Sequence, residues 1–113
     1  MLPFWRGAAL LLPAGASASA FFVSGSDLYT KCTHRDATLD YVDCLGYIAA
    51  IADALTNGSG VGGLKACLPP KVTREAILKQ VVEWIAAHPE VRQSAAAGAV
   101  ANALAEGFAC TSN

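Results

Sequence analysis

The chain has 113 residues, with eight basic and nine acidic side chains, a formal net charge of −1 and 54% apolar residues. A near-neutral chain without a clustered basic face does not fit nucleic-acid binding, and no run of like charge forms an electrostatic tail. Past the N-terminus, no segment is long and apolar enough to cross a bilayer.

The first segment reads as an export leader, from Met1 to about Ala20. Arg6 is its one charge, Gly7 to Ala16 is its apolar stretch, and Ala18-Ser19-Ala20 is a small-x-small cleavage pattern. The rival reading is an uncleaved anchor, but the apolar run is short for a membrane-spanning helix. Cutting before Phe21 leaves about 93 residues, read as one small domain at 21–113.

Phe21 to Ser26 then reads as an extended lead-in, with Ser24 or Ser26 capping a helix over Asp27–Thr33. After a polar connection, a second helix is expected over Leu39–Thr56. Leu39, Val42, Leu45, Ile48 or Ala49, Ala52 and Leu55 recur at spacings of three and four, and Tyr47 and Ile51 extend a second apolar edge. Asn57-Gly58-Ser59-Gly60-Val61-Gly62-Gly63 ends that helix. It lacks the Gly-Lys-Ser/Thr of a phosphate loop. Two readings stand for it: a flexible connector, or a projecting loop that orders on contact with a partner. Asn57-Gly58-Ser59 also fits a glycosylation sequon, which the bacterial look of the leader sets aside.

Thr73 is the expected cap of a third helix over Arg74–Ala87, whose inner stripe is Ile77, Leu78, Val81, Val82 and Ile85. Trp84 falls off that stripe. It is either an exposed aromatic anchor or buried against the Phe21-Phe22 lead-in or another helix. Pro89 suits the first turn of a fourth helix running to about Glu106 through Ala95, Ala96, Val100, Ala103 and Leu104. No β-type alternation persists, so the fold class is all-α: a small four-helix domain.

Cys32, Cys44, Cys67 and Cys110 leave gaps of 11, 22 and 42 residues without a Cys-x-x-Cys pair, which argues against structural zinc. Export argues for two disulfides. Three pairings are open. Cys32 ends the first helix and Cys44 is near the start of the second, so a short antiparallel turn brings them together. Cys67 precedes the third helix and Cys110 follows the fourth, so a helical hairpin would do the same for them. Cys32–Cys44 with Cys67–Cys110 is the cheapest geometry. His34 and His88 lack a neighbouring nucleophile motif, and Asp40, Asp43 and Asp53 read as helix-terminal or surface acids. No catalytic residue, metal ligand or cofactor is expected.

Taken together, Ser24-Gly25-Ser26-Asp27-Leu28, Cys32, Cys44-Leu45-Gly46-Tyr47-Ile48, Asp53, Cys67-Leu68-Pro69, Thr73, Val81-Val82-Glu83-Trp84-Ile85, His88-Pro89-Glu90, Ala103-Leu104 and Phe108-Ala109-Cys110 resemble the Rap/Tai family of type VI secretion amidase immunity proteins. Ala109 stands where that family often has proline, and Ala76 where it often has glutamine. The resemblance implies a small, helical, periplasmic homodimer that binds a peptidoglycan amidase toxin and occludes its cleft. The expected contacts are Asn57, Gly58, Ser59, Gly60, Val61, Gly62, Gly63 and Trp84, with the turn at His88 to Arg92 competing. The alternative function is that of a periplasmic stress or acid chaperone.

Overall fold

A computed structural model describes residues 21–111; the expected leader, residues 1–20, lies outside them. Ser24 opens α1 (Gly25–Thr33) with a capping box. Its Oγ accepts the Asp27 N–H at 3.0 Å, while its own N–H donates to Asp27 Oδ2 at 3.2 Å. That reciprocal pair starts the helix two residues before the expected Asp27. α2 spans Thr38–Thr56 and α3 spans Arg74–Ala87. Thr73 caps α3 by accepting the Ala76 N–H at 3.0 Å, as its sequence position suggests.

The fourth helix differs from its expected form. Pro89–Gln93 is a separate 3-10 turn, and α4 is Ala96–Gly107. Ser94 and Ala95 between them are extended. The cause is backbone pairing with the lead-in. The Ala96 N–H donates to the Val23 carbonyl at 2.8 Å, and the Gly25 N–H donates to the Ser94 carbonyl at 2.9 Å. Ser24 and Ala95 thus form an antiparallel bridge, which an uninterrupted helix cannot supply.

All four helices contribute to one core. Leu28, Ile48, Leu55, Val81, Ile85, Val100 and Leu104 are fully buried in it. α4 adds Ala96, Ala99, Ala101 and Ala103, small enough for neighbouring helices to approach closely. Gln80 of α3 donates to the Ala103 carbonyl at 3.0 Å. The disulfides pair Cys32 with Cys44 and Cys67 with Cys110, at Cα separations of 5.1 and 5.0 Å. The first pair is buried and the second exposed.

The inner face of α2 keeps Ile48, Ala52 and Leu55 of the expected stripe but takes Cys44 in place of its first residues. Cys44, Ile48, Ala52 and Leu55 are buried, whereas Leu39 and Val42 are 80% and 56% exposed. The disulfide explains the difference. Helix geometry puts Ile48 and Leu55 within about 40° of Cys44 around the axis, but Leu39 and Val42 about 140° and 160° away. Turning Cys44 toward α1 therefore turns those two outward.

Two glycines give opposite expectations for urea unfolding. A Cβ on Gly25 would stand 2.5 Å from the Val91 carbonyl oxygen, whereas one on Gly98 would meet nothing within 4 Å. Gly25→Ala should lose about 1–3 kcal/mol by overpacking. Gly98→Ala should gain about 0.5 kcal/mol from helix propensity. Equal effects would contradict this packing.

Candidate partner-binding surface

The segment that follows α2 is held at both ends and folded in the middle. Asn57 closes α2, its backbone N–H and its Nδ2 both donating to the Asp53 carbonyl, at 3.1 and 2.9 Å. Farther on, the Ala66 N–H donates to the Leu55 carbonyl at 3.3 Å, and the Cys67 N–H to the Phe108 carbonyl at 2.8 Å. The Cys67–Cys110 bond adds a covalent tie to the end of α4.

Between these anchors the backbone makes a tight hairpin. Val61 and Leu64 exchange hydrogen bonds, N–H to carbonyl, at 3.0 and 2.8 Å. Gly62 and Gly63 join them with φ of 57° and 82°. Two successive positive φ values are the requirement of a two-residue hairpin turn, which is why glycine fits both places. Lys65 Nζ donates to the Gly58 carbonyl at 2.9 Å and straps the base. The expected flexible loop is thus a hairpin with its own hydrogen bonds. Asn57, Gly58, Ser59, Gly62 and Gly63 are exposed, while Gly60 and Val61 are half-buried. Leu64 and Lys65 complete the hairpin. Their part depends on pairing across the turn, whose local sign in the sequence is the Gly62-Gly63 pair.

Trp84 is not part of that hairpin. It lies ten residues into α3 from Arg74, about 15 Å along the helix from the end the loop feeds. It is half-buried, and its ring stacks on His88 with centroids 3.9 Å apart. His88 Nδ1 is 2.7 Å from the Trp84 carbonyl oxygen, so the histidine closes the end of α3. In the 3-10 turn, Arg92 lies over the Tyr29 ring at 4.7 Å, while Pro89 and Glu90 are exposed.

The acids serve local structure. Lys31 pairs with Asp43 at 3.2 Å and reaches Asp40 at 4.0 Å, and His34 Nδ1 lies 3.5 Å from Asp40. The Tyr41 hydroxyl donates to Glu75 at 2.9 Å, tying α2 to α3. That hydrogen bond to a carboxylate holds the phenol above its ordinary value of 10. Partial burial raises Tyr47. Among the described residues, no three His, Cys, Asp or Glu side chains gather as metal ligands would, and no helix is long and apolar enough to cross a membrane. A rigid body with a strapped hairpin can fit a partner's groove with little ordering on contact.

A family model described as Rap1a immunity proteins matches residues 24–110, from the cap of α1 to the last cysteine. No curated protein matches the chain.

Amide exchange should report the hairpin directly. Gly63→Val forces a β-branched residue to a φ of 82° and should speed exchange at Leu64 by at least about tenfold. Gly62→Asn, which suits the first position of such a turn, should leave it unchanged. Fast exchange at Leu64 in the unaltered protein would show that the strap does not hold.

Proposed function

Because the chain belongs to the Rap1a immunity protein family, we propose that it is a periplasmic inhibitor of a type VI secreted peptidoglycan amidase. The observation that carries this reading is the family match, which spans both disulfides and the whole hairpin. Inhibition by occlusion asks for a surface that enters the enzyme's cleft and for a body that does not deform. The exposed Asn57–Gly63 hairpin is the inserting element. Little side-chain bulk at its tip lets backbone enter a narrow groove. Trp84 and the neighbouring 3-10 turn form a flanking contact.

Location in the periplasm is supported by the pairing of all four cysteines, since disulfides persist in oxidising compartments. It is supported too by the Ala18-Ser19-Ala20 pattern, after which the leader is cut. The protein acts as a homodimer and uses no catalytic residue of its own. Its histidines have structural neighbours, Asp40 for His34 and Trp84 for His88.

The reading predicts an amidase gene beside this one, and the test is a peptidoglycan hydrolysis assay with that gene's product. Stoichiometric addition of the protein should abolish hydrolysis; undiminished hydrolysis would reject the reading. Ser59→Trp, or a shortened Asn57–Gly63 with both disulfides kept, should weaken inhibition by at least about tenfold, near 1.4 kcal/mol. His34→Ala should inhibit as well as the unaltered chain. Full potency in both hairpin variants would place the contact elsewhere.

A further inference from the structure

The two disulfides have opposite surroundings. Cys32 and Cys44 are 1% and 0% exposed, inside the cluster that holds Leu28, Ile48 and Val81. Cys67 and Cys110 are both exposed and lie outside that cluster. Cys110 stands between exposed Ala109 and Thr111, past the end of α4.

We propose that Cys67–Cys110 is a site of reversible thiol–disulfide exchange with a dithiol, and that Cys32–Cys44 stays closed while it opens. The inference stands apart from the immunity reading and its test needs no toxin.

Exchange requires an attacking thiolate to reach a disulfide sulfur. At Cys110 that approach is open to solvent on both sides along the chain. The thiolate bonds to Cys110 Sγ, the Sγ–Sγ bond breaks, and its electron pair leaves on Cys67 Sγ, which takes up a proton. The second thiol of the dithiol then loses its proton and displaces Cys110 Sγ, which takes up a proton in turn. Two electrons pass to the protein: the dithiol becomes a disulfide, and Cys67 and Cys110 become thiols. The same attack on Cys32 or Cys44 has to wait until α1 and α2 part, and the packed core suppresses that opening.

The opened chain keeps its fold. Gln80 still holds α4 on α3 through the Ala103 carbonyl, and Phe108 still packs against the core. Cys32–Cys44 still sets the rotation of α2. The change falls where the hairpin leaves for α3. There the hydrogen bond from the Cys67 N–H to the Phe108 carbonyl, at 2.8 Å, takes over the tie to the end of α4. It keeps the two thiols near each other, which raises their effective concentration and favours closure when an oxidised disulfide is supplied. The exit of the hairpin is thus fastened covalently under oxidising conditions and by a single hydrogen bond after reduction.

Timed reduction of the purified protein with dithiothreitol, followed by alkylation and peptide mapping, tests the assignment. Cys67 and Cys110 should become alkylated at least about a hundredfold faster than Cys32 and Cys44. In the singly opened form, amide exchange at Cys67 should rise at least about tenfold, with exchange at Ile48 unchanged. Oxidised glutathione should restore the bond and the slow exchange. The double variant Cys67→Ser, Cys110→Ser should keep its helical circular dichroism and the Cys32–Cys44 bond. Equal rates at the two disulfides, or earlier opening of Cys32–Cys44, overturn the proposal. Loss of helical signal in the double variant overturns it too, since opening would then unfold the chain.

Discussion

The rotation of α2 about its own axis governs the rest of the molecule, and the buried Cys32–Cys44 bond sets it. The bond joins the last turn of α1 to the early turns of α2 across a short connection. With Cys44 facing inward, Ile48, Ala52 and Leu55 follow it to the same side, and α3 and α4 pack there. A core rich in alanine buries modest area per residue. A covalent link at its centre therefore has more influence on orientation than any single side chain. The outward turn of Leu39 and Val42 is the other side of the same constraint.

A second junction depends on the first described residues of the chain. Val23 to Gly25 pair with Ser94 to Ala96, so the start of the described chain lies against the start of α4. Gly25 lets the 3-10 turn approach the base of α1 without a Cβ in the way. Arg92 over Tyr29 closes the same contact from the side-chain level. From Val23 onward, the lead-in is therefore part of the packing.

Much of this was legible from residues alone, wherever local signals agreed. α3 carries its cap at Thr73 and an apolar stripe with no competing constraint, and its bounds match expectation. The two disulfides followed from helix ends that had to meet. α2 shows where local signals conflict. Leu39 and Val42 have the spacing of a buried stripe, but Cys44 had an equal claim to the inner face. Carrying the Cys32–Cys44 pairing through at 3.6 residues per turn would have chosen between them. The break before α4 was not readable, because Pro89 fits the start of a 3-10 turn as well as that of an α-helix. The bridge that ends the turn also joins residues about seventy apart. The glycines announced the end of α2. The Val61–Leu64 pairing and the Lys65 strap arise only when the chain folds back on itself.

The two disulfides also divide the described chain into covalent rings. Cys32–Cys44 encloses the turn between α1 and α2. Cys67–Cys110 encloses α3, the 3-10 turn, α4 and their connections. A protease that nicks the backbone within either ring leaves one covalent molecule. Among the described residues, the glycine hairpin is the loop outside both rings. One cut at Ser59 or Gly62 would leave the halves joined by the core alone. A segment so exposed is a preferred site for such cleavage. Its internal hydrogen bonds therefore keep the molecule in one piece as well as shaping its tip.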